Sequence, residues 1–152
     1  MNIHHSANLR RGRHSEIGRV YLLTAVIDKR QQVFADFTLA RVAMRCLRDC
    51  DFAGESATLA CVLMPDHLHW LFSLQCADIS HLARRFKSNS ARQINAIRGT
   101  PGIGLWQRGF HDHALRKDED IQQVANYMLA NPVRAGLVES VNEYSHWYAV
   151  WD

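Results

Sequence analysis

The feature that most constrains the fold is the segment Val62–Leu74, in which two runs of β-forming residues flank a Pro65-Asp66 pair. Proline followed by aspartate is typical of a tight turn, so the segment predicts two antiparallel strands, over residues 58–64 and 67–74. Successive side chains of a strand point to opposite faces of the sheet. Every second residue of the second strand is apolar, and these residues require a core against one face: Leu68, Trp70, Phe72 and Leu74.

The opposite face of the second strand begins with two histidines, His67 and His69. Residues two apart on a strand lie about 7 Å from each other along the backbone. Two imidazoles at that spacing can bind one metal cation. The same pattern also occurs as two half-exposed histidines without a metal, so these residues alone leave both interpretations open.

Size and composition predict one globular domain over residues 1–152. The chain is 47% hydrophobic and 22% charged, with a formal net charge of +3, which permits a nucleic-acid partner without requiring one. It has no apolar run long enough to span a membrane and no apolar segment of a secretory signal, so we expect a cytoplasmic protein. Cys46, Cys50 and Cys61 fall at apolar positions and are expected to be buried thiols; a zinc site at Cys46 and Cys50 would lack a second cysteine pair.

Hydrophobic periodicity predicts the elements around this hairpin. We expect a strand over 19–27, a helix from Asp36 to about Cys50, a helix from Asp78 or Ser80 to Arg98 with Ile97 in its buried stripe, a strand over 105–115 and a helix capped by Asp118.

Two groups of basic residues are candidates for contacts with DNA phosphates. The second predicted helix has no acidic residue between Ser80 and Arg98, and the polar arm at residues 1–17 is rich in arginine. Ordinary solvated surfaces are the alternative for both groups. The candidates are Arg84, Arg85, Lys87 and Arg92 on the helix and Arg10, Arg11 and Arg13 in the arm.

The third predicted helix carries a tyrosine off its apolar stripe. Tyr127 lies roughly 130° from the centre of that stripe at 100° per residue. Gln123 and Asn131 lie one turn away on either side, so the three form a polar strip. The alternative is an exposed tyrosine, with Asn131 closing the helix before Pro132.

Two further features remain open at this level. A second His-x-His pair, His111 and His113, is a candidate for a supporting or substrate-contacting role. The aromatic tail over residues 143–152 either packs on the core or stacks on bases, and packing is the expected outcome.

Three segments together resemble the single-tyrosine HUH transposases of insertion sequences, and more narrowly the REP-associated tyrosine transposases. Their order and spacing match this family over about residues 18–140. The segments are Met64–His69, Leu105–His113 and Tyr127–Val138.

The resemblance implies an α+β fold, with a ferredoxin-like antiparallel β-sheet and helices packed mainly on one face (the HUH endonuclease fold). It implies Tyr127 as the nucleophile and Mg²⁺ or Mn²⁺ held by His67, His69 and Asn131. Insertion-sequence relatives usually have glutamine at the position of Asn131, so this sequence departs from the family pattern there. Gln123, His111 and His113 are candidate supporting residues.

The function implied is that of a metal-dependent endonuclease and strand transferase in transposition. It would act on single-stranded or hairpin (REP-like) DNA through a 5′-phosphotyrosine intermediate, as a monomer, with a dimer as the alternative. Two other functions stay open. One is a hairpin-DNA-binding protein that no longer cuts, and the other is a metal-dependent hydrolase that uses water in place of Tyr127.

Overall fold

The structure is a computed structural model that describes residues 15–151. Its centre is a five-stranded sheet with the strand order β4-β1-β3-β2-β5, in which every neighbouring pair is antiparallel. The predicted hairpin forms the two central strands with their turn. The strands are β1 (Val20–Val26), β2 (Ser56–Met64), β3 (His67–Leu74), β4 (His111–Ala114) and β5 (Trp147–Ala149).

An aspartate is the N-cap of each of the three longest helices. Asp36 accepts a hydrogen bond from the N–H of Leu39, and Asp78 accepts one from that of Ser80, as expected of N-caps. The third helix begins after Asp120, so the predicted cap at Asp118 is wrong by two residues. The helices are α1 (Phe37–Phe52), α2 (Ile79–Arg98), α3 (Ile121–Leu129) and a single turn, α4 (Asn131–Arg134), with 3₁₀ turns at Asp28–Arg30, Val33–Ala35 and Val141–Glu143.

Different helices pack on the two faces of the sheet. Helices α1 and α2 pack on the face that carries Trp70 and Phe72, and this layer contains the larger core. The short helix α3 packs on the opposite face, where Leu71 meets Ala125 and Met128. The predicted α+β fold, with an antiparallel sheet and its main helices on one face, is therefore confirmed. The histidine pair lies on the more sparsely covered face, in line with Leu71.

The strand predicted over 105–115 is wrong for its first half. Only His111–Ala114 pairs as a strand, and Trp106 makes a single bridge with Ile27. Gly109 has a φ of 74°, outside the extended region, so the backbone turns before β4 begins. The ammonium of Lys87 holds this turn by donating to two of its carbonyls, at 2.7 and 2.8 Å.

The burial predicted for Ile97 is also wrong, since its side chain is 55% exposed. The last turn of α2 faces the loop that follows it instead of the sheet. There the buried amide of Asn95 donates to the carbonyl of Ile103 at 2.7 Å. The inward position in this turn is therefore occupied by a polar side chain.

The tail packs against the sheet as expected. Strand β5 pairs with β2, and the hydroxyl of Tyr144 donates to the carbonyl of Leu63 at 2.5 Å. The three cysteines predicted to be buried are buried. None of the helices in residues 15–151 combines the length and the apolar character that crossing a membrane requires.

Candidate functional site

His67 and His69 form the centre of the candidate site, on the face of β3 opposite the larger core. Their ring centroids lie 4.8 Å apart and the ring planes meet at 82°. Both residues are partly buried. The two imidazoles are therefore close enough for both to bind one cation.

The orientation of His67 is set by the carboxylate before it. Asp66 Oδ1 lies 2.6 Å from Nδ1 of His67, and Asp66 Oδ2 accepts from Nε of Arg30 at 3.1 Å. Burial acts to raise the pKa of Asp66, but the hydrogen bond from His67 and the nearby charges of His67 and Arg30 outweigh it and lower that pKa. Since an ionised carboxylate only accepts hydrogen bonds, Nδ1 of His67 carries the proton. When the ring of His67 is in its neutral form, the form that binds metals, the lone pair is then on Nε2.

His69 is held from the neighbouring strand. Its Nδ1 lies 2.9 Å from the hydroxyl oxygen of Thr24, the residue opposite it on β1. Burial lowers the pKa of His69 to about 4, and the charges of His67 and Arg134 act in the same direction. His69 is therefore neutral near pH 7, which is the form in which histidine binds metals.

The described side chains fit a divalent cation with a small number of protein ligands. Both histidines engage Nδ1 with a neighbour, a common arrangement of metal-ligating histidines, and this leaves Nε2 for the metal. Within residues 15–151 no group of three or more His, Cys, Asp or Glu side chains could hold a metal, so any third protein ligand would be of another type. The amide nitrogen of Asn131 donates to the carbonyl of Met128 at 2.7 Å, so its amide oxygen is the atom that would coordinate a cation.

Tyr127 projects from α3 into solvent and is 71% exposed, the most exposed of the four tyrosines. Its ring is covered on one side by Arg134, whose guanidinium carbon lies 4.0 Å from the ring centroid. The charge of Arg134 also acts on His69. Arg134 therefore contacts the predicted nucleophile and places a positive charge on the face of the sheet that carries the histidine pair. Gln123 is exposed one turn earlier on the same helix.

Sequence reasoning missed Arg134. The signal was its position seven residues after Tyr127, which is two turns along the same face of a continuous helix. Pro132 suggested that the helix stops. In the structure the proline instead opens the new helical turn α4, where the missing N–H costs nothing.

The second histidine pair lies on the edge strand β4. His111 pairs with Thr24, which pairs in turn with His69, so the three side chains share one face and one row across the sheet. Two strand spacings place His111 about 10 Å from His69. His113 lies 3.0 Å from Glu119. A cleft of about 310 Å³ opens beside this row, lined by Leu22, Thr24, His111, Asp112 and His113.

The predicted basic residues of α2 are placed away from the histidines, on the helical layer of the other face. Arg85 pairs with Glu55 at 2.8 Å, and Arg92 donates to the side chain of Asn89 at 3.0 Å. Lys87 holds the turn at Gly109, and Arg84 is exposed beside it. The predicted contacts Arg10, Arg11 and Arg13 lie outside the described residues.

The fold and the site define an α+β protein that presents a histidine pair on a central strand and an exposed tyrosine on a helix of the same face. The chain belongs to the family described as "Transposase IS200 like", whose family model matches residues 19–131. This match confirms the family resemblance identified in the sequence.

Individual relatives agree with this assignment. A Haemophilus influenzae protein named as a REP-associated tyrosine transposase is 28% identical over 139 residues, which cover 85% of this chain and 78% of that protein. The REP-associated tyrosine transposase of Escherichia coli K12 is 29% identical over 86 residues, covering 56% of this chain and 49% of the relative.

Solved structures show the same fold. A REP-associated tyrosine transposase bound to a REP hairpin superposes with a TM-score of 0.68 at 25% identity, over 89% of this chain and 79% of that one. A transposase from Deinococcus radiodurans gives a TM-score of 0.56 at 23% identity, over 77% of this chain and 95% of that one, and supports the fold.

Proposed function

We propose that this protein is a metal-dependent single-strand DNA endonuclease and strand transferase that acts on hairpin (REP-like) DNA through Tyr127. The observation that carries the proposal is the exposed Tyr127 ring, stacked against Arg134, on a helix that packs on the face of the sheet where His67 and His69 lie. An exposed phenol on the same face of the sheet as a pair of imidazole nitrogen donors suits nucleophilic attack on a phosphate.

The proposed reaction is a transesterification. The Tyr127 oxygen attacks phosphorus, the bond from phosphorus to the 3′ oxygen breaks, and that oxygen takes up a proton and leaves as a 3′-hydroxyl. The product is a 5′-phosphotyrosine. Because one phosphodiester replaces another, a second 3′-hydroxyl can reverse the step without an external energy source.

A phenol in water has a pKa near 10, so only about one in a thousand is ionised at pH 7. Nε2 of His67 and Nε2 of His69 would hold a divalent cation, which would supply Lewis-acid stabilisation of the charge on the phosphate. Mg²⁺ or Mn²⁺ is proposed, with the amide oxygen of Asn131 as a further ligand. His111 and His113 are candidates for moving the proton, since they line the cleft next to Thr24.

Hairpin DNA is the proposed substrate, because in-line attack requires a backbone free of the duplex and because a similar protein is bound to a REP hairpin. The basic residues of the arm and of α2 are proposed to contact flanking phosphates. Since one chain carries both the histidines and the tyrosine, the protein is proposed to act as a monomer.

The test is covalent capture. A DNA hairpin with single-stranded flanks, selected for binding from a randomised pool, is incubated with the protein and Mn²⁺, and the products are separated by denaturing electrophoresis. Wild type is expected to form a protein–DNA adduct. Tyr127→Phe is expected to bind the hairpin and form none.

Tyr148→Phe is the matched control, because Tyr148 is also exposed, at 46%, but borders the cleft beside α1 on the other face of the sheet. This variant is expected to form the adduct as wild type does. Cleavage by Tyr127→Phe at the wild-type rate would favour hydrolysis by water. Binding without cleavage by wild type would favour a protein that only binds hairpins.

A further inference from the structure

Arg134 is a surface arginine that stacks on the ring of Tyr127 instead of pairing with a described carboxylate. Both residues are exposed, yet the guanidinium lies over the ring at 4.0 Å from its centroid. Within residues 15–151 the arginines in ion pairs with carboxylates are Arg19, Arg30, Arg85 and Arg116, and Arg134 is not among them. The positive charge of Arg134 is therefore not neutralised by a described carboxylate.

The shape of a guanidinium explains how one arginine can make two contacts at once. Its flat face stacks on an aromatic ring, while its five N–H donors point outward in the plane of the group. Two parallel N–H groups match the spacing of two oxygen atoms on one phosphate. With its face on Tyr127, Arg134 keeps its donor edge for an anion.

The backbone beneath Arg134 is fixed. Its N–H donates to the carbonyl of Ala130 at 3.0 Å, the next N–H donates to the carbonyl of Asn131 at 2.9 Å, and Pro132 at the start of the turn is buried. The backbone bonds fix the position of the Arg134 backbone, and the contact with the ring places the guanidinium next to the phenol. The helix that carries Tyr127 packs on the face of the sheet that also carries the histidine pair, so Arg134 lies on that side of the sheet.

We propose that Arg134 binds the non-bridging oxygens of the phosphodiester that Tyr127 attacks, using its N–H edge while its face holds the tyrosine ring. This inference rests on the proposed function, because it requires a DNA strand to lie over Tyr127. It assigns to Arg134 a direct contact with the substrate, in addition to the positioning of the nucleophile.

The test is a scan of single neutral phosphates in a DNA-binding assay. Methylphosphonate replaces one phosphate at a time along the single-stranded flank of the selected hairpin. Affinities are measured without metal in the Tyr127→Phe background, so that cleavage does not interfere. At one position we expect the substitution to weaken binding about tenfold when Arg134 is present and less than about twofold in Arg134→Gln. The second effect is small because the Arg134→Gln variant has already lost the charge-assisted hydrogen bond that the neutral phosphate would remove.

The matched control is Arg45→Gln, which removes an exposed arginine from α1 on the opposite face and should keep the full tenfold effect. Arg134→Lys keeps the charge without the flat fork and should retain only part of it. If every methylphosphonate weakens Arg134→Gln as much as its parent, the inference is overturned. A melting temperature of Arg134→Gln equal to that of its parent shows that the variant is folded.

The two proposals can fail separately. If wild type forms the covalent adduct but no phosphate couples to Arg134, the function stands and the contact does not. If wild type forms no adduct but one phosphate couples to Arg134, the contact stands for a protein that only binds DNA. When cleavage occurs, the coupled phosphate must also be the one at the mapped cleavage position.

Discussion

The hydroxyl oxygen of Thr24 lies 2.9 Å from Nδ1 of His69, across the pair of strands β1 and β3. The contact joins a residue of the sheet framework to a proposed metal ligand. For Nε2 of His69 to bind a metal, Nδ1 must carry the proton and donate it to this oxygen. Thr24 therefore holds the ring orientation of His69, and its hydroxyl oxygen can accept from Nδ1 in the tautomer that leaves Nε2 for a metal.

Replacing Thr24 with valine is expected to weaken Mn²⁺ binding about tenfold, in the range usual for a partner of a ligating histidine. Valine keeps the shape and the β-branch but cannot accept the hydrogen bond. The measurement is a titration of Mn²⁺ followed by the electron paramagnetic resonance signal of the free ion. Thr24→Ser keeps the hydroxyl and is expected to bind as wild type, and equal affinity of Thr24→Val and wild type would show that the contact has no part in metal binding.

Asp66 and Arg30 should contribute very differently to the affinity for Mn²⁺. Asp66→Ala removes the acceptor at 2.6 Å from His67 and is expected to weaken Mn²⁺ binding by about 10- to 100-fold. Arg30→Gln removes an ion pair in which the arginine side chain is 59% exposed, and exposed pairs are worth at most about 1 kcal/mol, so less than about fivefold is expected. The turn itself stays held by backbone bonds from Ile27 and Phe34. A loss in Arg30→Gln as large as that in Asp66→Ala would contradict this order.

The cysteines are expected to react in two classes. Burial raises the pKa of Cys50 and of Cys61 to about 12 and also raises that of Cys46, so at pH 8 about one in ten thousand of the first two is a thiolate. Cys76 is only partly buried. A thiol-reactive disulfide reagent should therefore modify one thiol quickly in the folded protein and the rest after unfolding in guanidinium. Cys76→Ser should abolish the fast phase, and a second fast thiol in that variant would contradict the assignment.

The sequence predicted the parts of the fold that depend on local periodicity and local hydrogen bonds. The alternation after Pro65-Asp66 gives the central hairpin its two faces, and Asp36 and Asp78 cap the helices that follow them. Gly109 shows the limit of this approach. Residues 105–115 have strand-like composition, but one glycine at positive φ and a lysine that binds its carbonyl break the extended backbone.

The site was predicted less completely than the fold, because its contacts join separate elements. His67 and His69 share a face by simple alternation, but the partner of His69 comes from another strand and depends on the register of Thr24. The register between two strands cannot be predicted from the spacing of residues within one strand. Arg134 was hidden for a related reason, since Pro132 suggests a helix end when it is read locally and opens a further turn in the structure.

The free energy of unfolding is expected to change with pH in the alkaline range because of Tyr144. Its hydroxyl donates to the carbonyl of Leu63, and burial raises its pKa to about 12 from the ordinary 10.0. The folded state therefore keeps the proton more firmly than the unfolded state does. The stability that this group contributes is fully present below about pH 10 and is lost as the pH rises from about 10 to about 12, because a phenolate cannot donate to the carbonyl.

The measurement is the free energy of unfolding in urea for wild type and Tyr144→Phe between pH 7 and pH 11. At pH 7 the variant is expected to be less stable by about 1–2 kcal/mol, since the carbonyl of Leu63 loses its donor. Above pH 10 the difference should shrink, because Tyr144 ionises in unfolded wild type while the folded protein keeps its proton, and other alkaline effects are common to both. Tyr148→Phe, which changes a tyrosine 46% exposed on β5, should show no such convergence. A difference between wild type and Tyr144→Phe that stays constant from pH 7 to pH 11 would mean that folding does not raise the pKa of Tyr144.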